Sequence, residues 1–268
     1  MEFCQNARIV SVAHFLPCYD TSDIFISILF STDITMTFFL KKLRMVFFCA
    51  LFCSGTVAPH FASASTLDPQ AIQRPIFDAQ RLQLTAEYSQ RHYGVATAVL
   101  SNPQMIVVHF TTIPTREKSL DFFRPPRIDH QIRRDIVGGG EVNVSAHYLV
   151  DRDGSLYQLA AEDILCRHII GFNHTAIGIE NIAVDADDLT PVQLEANAAL
   201  ISRIVQRQAS IRFLIGHHEY RDNTQPHYQL FRADDATYRF TDKVDPGPIF
   251  MAGLRALLDD RYGIRLSK

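Results

Sequence analysis

The run "MIVVHFT", residues 105–111, constrains this chain more than any other feature. It is apolar, rich in β-branched residues and of strand length. It follows Pro103 and ends in polar residues, so it reads as a buried strand. Two further runs of this kind are "AIGIENIAV" (176–184) and "IRFLIGHHEY" (211–220), the latter running into a histidine pair. Between them "TPVQLEANAALISRIVQRQ" (190–208) has the spacing of an amphipathic helix. Thr190 suits its N-cap, Pro191 its first helical position, and Gln193 completes a capping box. "VSAHYLVDRDGSLYQL" (144–159) reads as a hairpin turning at Asp153-Gly154. Helices are predicted over 78–94, ended by Gly94, and over 248–262. Strands interleaved with helices predict an α/β fold, a central sheet with helices packed on it. Residues 112–143 are left as a long connection carrying Pro125-Pro126 and Gly138-Gly139-Gly140. A connection of that length is usually functional or mobile. Its glycines lack the Gly-Lys-Ser/Thr ending of a phosphate loop and read as flexibility.

The first 64 residues differ from this pattern. Lys41, Lys42 and Arg44 precede the apolar run "MVFFCALFCSGTVA" (45–58), and Ala62-Ser63-Ala64 follows. Basic, apolar and small-residue segments in that order predict a secretory leader over 36–64 and an exported, periplasmic protein. The apolar run is shorter than the roughly 20 residues of a bilayer span, which ranks a membrane anchor below a cleaved leader. Phe52 before Cys53 argues against a lipid attachment there. Residues 1–35 fit no part of this pattern, and a start at Met36 is expected. Residues 65–77 read as a tether, and 78–268 as one domain. Four of the five cysteines (Cys4, Cys18, Cys49 and Cys53) fall in the leader region, so the remainder carries Cys166 alone and can form no internal disulfide. A net charge of -3, with no basic run in the body of the chain, gives no case for nucleic acid.

The candidate chemistry sits at the ends of the strands. His109 closes one strand, His217 lies just past another, and Asp245 stands against Pro246-Gly247-Pro248, which holds it extended in a stiff turn. Two histidines and one carboxylate are a ligand set for a catalytic zinc, which keeps a fourth position open for water. Taken singly, each histidine reads more readily as a hydrogen-bonded core or surface residue, and Asp245 as an ordinary Asp-Pro turn. Other searches are negative: Asp222 stands where a zinc-protease helix would carry its second histidine after His218-Glu219, and there is no G-x-S-x-G elbow. Cys166 reads as a small buried residue.

The stretches "MIVVHFT", "VSAHYLVDRDGSLYQL", "CRHIIGFNHTAIGIEN", "LTPVQLEANAAL", "LIGHHEY" and "KVDPGP" occur in this order. Together they resemble the zinc-dependent N-acetylmuramoyl-L-alanine amidases, relatives of phage amidase-type lysozymes and peptidoglycan recognition proteins. The resemblance covers roughly residues 78–258. It implies a mixed central sheet flanked by helices, with a Zn2+ cleft at the strand ends. His109, His217 and Asp245 match the family's zinc ligands, Glu180 its general base, and Lys243 the lysine that stabilises the oxyanion. The implied substrate is peptidoglycan or a muropeptide, cut between N-acetylmuramic acid and L-alanine. His168 and Asn173 fall in matching segments as candidate substrate contacts; they read alternatively as a loop-orienting imidazole and a turn residue. His147 is expected to be structural or to stand behind the ligands, and Glu219 to hold a ligand imidazole in place. The aromatics of 220–242 (Tyr228, Phe231, Tyr238 and Phe240) are expected to rim the cleft or to pack as a separate excursion. The rival reading is a non-catalytic peptidoglycan-binding protein on the same fold; such relatives typically lose a metal ligand.

Overall fold

A computed structural model describes residues 67–268. The leader at 36–64, the proposed start at Met36 and the four leader-region cysteines lie outside the described residues. The sheet is built around β2 (Met105–Phe110), whose six residues are all buried. β2 lies between β5 (Ala176–Asn181) and β6 (Phe213–Gly216), parallel to both. β5 pairs in parallel with β3 (Tyr148–Val150), which forms the predicted hairpin with β4 (Leu156–Gln158). Gly154 takes the turn at φ 82°. With β1 (Ile72–Gln73) beside β4, the order is β1-β4-β3-β5-β2-β6, a mixed six-stranded sheet.

The side-chain alternation of strands divides this sheet into two unlike faces. Ile106, Val108, Ile177 and Ile179 face a core shared with α3 (Pro191–Arg207) and α4 (Pro248–Tyr262). α3 starts as the sequence predicts: Thr190 Oγ1 accepts from the Gln193 backbone N–H at 3.1 Å, and Gln193 Oε1 accepts from the Thr190 N–H at 3.0 Å. Met105, Val107, Leu149 and Ile215 face the other way, into a core closed by connecting segments rather than by long helices. His109 and Glu180 extend that second face. α1 (Ala79–Tyr93) is capped by Asp78 and ended by Gly94 in the left-handed region, at φ 68°. Among the described residues no helix is long and apolar enough to cross a membrane.

Three expectations are corrected. The connection 112–143 contains α2 (Arg116–Phe123), capped by Thr115, and a 3-10 turn at Val137–Gly139. Fully buried Arg81 from α1 donates to the carbonyls of Phe123, Pro125, Asn143 and Val144 and so closes both ends of this wall. Gly139 is there for close approach rather than flexibility, since a Cβ on it would meet the Tyr238 ring at 2.4 Å. Of the 220–242 aromatics, Tyr228 stacks on Phe231, with Phe172 and Phe240 packed against that pair.

The third correction concerns the tether. From residue 67 onward it belongs to the fold: β1 adds to the sheet edge, and Asp68 is fully buried. The Asp68 carboxylate pairs with Arg203 at 2.8 Å and Arg207 at 3.2 Å, and Arg207 also pairs with buried Glu162 at 2.6 Å. Asp68→Ala leaves two half-buried guanidiniums short of a partner, and breaking a pair of this kind costs about 3 kcal/mol. Urea unfolding of the full chain should show that loss; an unchanged midpoint would return 67–77 to the status of a tether.

Candidate metal centre

Strand register brings the first site residues together. His109 pairs with Glu180 across β2–β5, and the β2–β6 ladder ends at Val108↔Gly216, so His217 follows level with His109. Glu180, His109 and His217 therefore stand in a row at the C-terminal ends of three parallel strands, the edge where α/β sheets place their ligands. His217 opens a 3-10 turn (His217–Glu219). Glu219 holds that turn by accepting from the Gly216 N–H at 2.8 Å and by pairing with Arg255 and Lys268. The expectation that Glu219 braces a ligand imidazole is thereby corrected: its partners are a backbone N–H and two cations. Those partners outweigh its burial and hold its carboxyl down at about 2.

Asp245 arrives from the far end of the chain, at a cis Asp245-Pro246 bond. Its backbone carbonyl accepts from the His218 N–H at 2.9 Å, which ties the turn to the end of β6. Its side chain closes a triangle: His109 Nδ1 to His217 Nδ1 is 2.9 Å, and each Nδ1 is 3.1 Å from Asp245 Oδ2. All three residues are buried.

Protons alone do not satisfy this triangle. Each Nδ1 carries at most one hydrogen, in the ring plane, so the three contacts cannot all be hydrogen bonds. A cation held by His109, His217 and Asp245 would take one lone pair from each. Bonds of about 2.0–2.1 Å in a tetrahedral zinc site put ligand atoms about 3.3 Å apart, close to the spacing here. The donor set fits a divalent ion of the zinc class. The electrostatics agree: burial pushes the His217 imidazole down to about 4, so it is neutral with a lone pair to give. Burial works to raise Asp245, but the two imidazoles hold it well below the usual carboxylate range.

A cavity of about 540 Å³ opens over the triangle, and Glu180 and Lys243 line it. Burial raises the Glu180 carboxyl from 4.5 to about 7 against the pull of His109, and its Oε2 is buried without a hydrogen-bond partner among the described residues. Lys243 is half-buried, and its charge bears on Glu180, His217 and Asp135. His168 lies against the triangle, with Nδ1 3.0 Å from His109 Nε2 and Nε2 3.2 Å from the Ala176 carbonyl. Asn173 does not line the cavity. Its Oδ1 accepts from the His168 and Ile169 N–H groups at 2.9 and 2.8 Å, and its Nδ2 donates to Tyr88 at 3.0 Å. Its buried amide thus holds the 168–173 turn through its oxygen and ties that turn to α1 through its nitrogen. His147 is structural: Nε2 donates to the Ile164 carbonyl at 2.8 Å and Nδ1 accepts from Gly178 N–H at 3.0 Å.

Sequence reasoning missed the polar wall opposite the strands. Arg133, paired with Asp135 at 3.1 Å, lines the cavity, as does Tyr238, alone among the four aromatics expected at the rim. Behind them buried Arg167 donates to the Ile136, Gly140 and Val142 carbonyls and to the Tyr238 hydroxyl. Nothing local separates Arg133 from its exposed neighbour Arg134.

A phage endolysin, from Klebsiella phage KP32, is 27% identical over 100 residues, 35% of this chain and 65% of the endolysin; the chain thus spans just under two thirds of that relative. The selenomethionine derivative of AmpD superposes with a TM-score of 0.46 at 23% identity, covering 72% of this chain and 97% of that one. Drosophila PGRP-LB gives 0.36 at 22%, covering 50% and 80%. The profile of one family matches residues 100–248, more than half of the sequence, and spans the triangle, Glu180 and Lys243. On that match, the chain belongs to the N-acetylmuramoyl-L-alanine amidase family.

Proposed function

We propose that the chain is a zinc-dependent amidase that hydrolyses the bond between N-acetylmuramic acid and L-alanine in peptidoglycan or muropeptides. The observation that carries this reading is the buried His109–His217–Asp245 triangle facing a cavity that also holds Glu180, in a chain of the amidase family. When bound, zinc supplies Lewis acidity, lowering the pKa of a water to about 7 and polarising a carbonyl. Glu180, poised near neutrality, takes the proton of the attacking water and passes it to the leaving amine of L-alanine. Lys243, two residues before Asp245 and on the cavity wall, offsets the negative charge on the carbonyl oxygen as the tetrahedral species forms. Export through the leader at 36–64 belongs to the same proposal, and fractionation tests it: full-length protein in the cytosol would exclude it.

The direct test incubates the zinc-loaded full chain with a defined N-acetylmuramoyl-L-alanyl peptide and follows the free peptide by mass spectrometry. Release of a peptide with a new L-alanyl amino terminus is expected. A metal-loaded protein that binds this substrate and never cleaves it would favour the binding-protein reading and remove Glu180 and Lys243 from any chemistry.

A further inference from the structure

We propose that His168 is a positioning residue for the metal ligand His109, and that Gly178 exists to let it take that position. The inference rests on the metal reading above. The Ala176 carbonyl can only accept, so the His168 nitrogen facing it, Nε2 at 3.2 Å, carries the proton. In a neutral imidazole the lone pair is then on Nδ1. That atom lies 3.0 Å from His109 Nε2 and accepts its proton. The His109 lone pair is consequently on Nδ1, the atom inside the triangle with His217 and Asp245. One backbone carbonyl thus sets the tautomer of a metal ligand through an intervening ring. Metal-binding histidines are commonly oriented by an acceptor on their outer nitrogen; here that acceptor is a second imidazole.

The neighbouring residues hold this ring in place. His168 meets His109 edge-on, at 90° and 5.2 Å between ring centres. Its backbone N–H and that of Ile169 are held by Asn173. Its ring lies directly over Gly178, where an added Cβ would stand 2.8–2.9 Å from three ring atoms. Gly178 has no strained backbone to explain it: it sits inside β5, where glycine weakens a strand unless something approaches closely. His147 holds the same glycine through its N–H. Gly178 precedes Glu180 by two residues, so the strand face that carries the candidate base also seats the relay.

The test measures zinc affinity of the full chain by competition with a chromophoric chelator, with melting curves to verify folding. His168→Ala removes the acceptor, and affinity should fall by about 10–100-fold. Gly178→Ala displaces the ring without altering a polar group, and should fall into the same range. His168→Asn places an amide oxygen near the former Nδ1, and should recover affinity to within about threefold of wild type. Nitrogen-15 spectra of the metal-free protein should show His109 as the Nε2–H tautomer, lost in His168→Ala. The relay is overturned if His168→Ala and Gly178→Ala bind zinc as wild type does, or if His168→Asn falls as far as His168→Ala. A wild-type chain that takes up no zinc overturns the metal reading and the relay together. Tight zinc binding with the expected pattern but no hydrolysis supports the relay and overturns only the proposed activity.

Discussion

Asp245→Ala is expected to lose the metal and the hydrolysis together while the fold survives. The side chain of Asp245 supplies the single oxygen of the triangle, and its removal leaves two imidazole nitrogens to hold the ion. The backbone role is separate: the His218 N–H bonds to the Asp245 carbonyl, which alanine retains. Without the ion, bulk water at a pKa of about 15.7 replaces water at about 7, and carbonyl polarisation is lost too. Activity should fall by roughly 10³-fold or more. Zinc content by mass spectrometry, release of the peptide and a thermal melt give the three readings. Stoichiometric zinc in a purified, inactive Asp245→Ala would assign the aspartate to catalysis and exclude it as a ligand. Stoichiometric zinc with full activity would remove it from the site altogether.

Glu180→Gln should separate chemistry from metal binding. A general base contributes about 10²–10⁴-fold, so kcat should drop by that factor with zinc content unchanged. A base must be ionised to act, so wild-type activity should rise with pH up to a limb at or below about 7, and glutamine should abolish the limb. The same substitution has a second signature, in stability. Folding raises this carboxyl from 4.5 to about 7. The folded state therefore holds its proton where the unfolded state has released it, and stability falls as pH rises between those values. Above about pH 7 the cost is constant, at about 3 kcal/mol for the metal-free chain. Glutamine carries no such cost. The metal-free variant should exceed wild type in urea unfolding at pH 8 by clearly more than at pH 5. A gap independent of pH would mean that Glu180 is not held proton-rich by its burial. Stability given up at one buried carboxylate is consistent with a group kept for function.

The strands and the long helices were legible in the sequence because their signals are local. β-Branched runs marked β2, β5 and β6, and the Thr190–Gln193 capping box marked the start of α3 to the residue. His109 and His217 could be placed at strand ends because a strand's length follows from its own residues. Six stretches in family order then tied Asp245, Glu180 and Lys243 to the same edge of the sheet. Short elements were missed, β1 and α2 among them. β1 is two residues long and α2 eight, and each is held by partners remote in sequence: β4 for one, Arg81 acting on its C-terminal end for the other.

Residue types and their order along the chain therefore determined the fold class, the candidate ligands and the family. Tertiary structure alone decided what each polar side chain touches. It turned Asn173 and Glu219 inward to hold turns, seated Asp68 between two arginines, brought Arg133 to the cavity wall and set His168 between a carbonyl and the candidate ligand His109. The physical reason lies in the range of the interactions. Strand and helix signals act over a few residues, whereas the partner of a buried donor is whatever packing across 59 residues, as between His109 and His168, brings within hydrogen-bond reach.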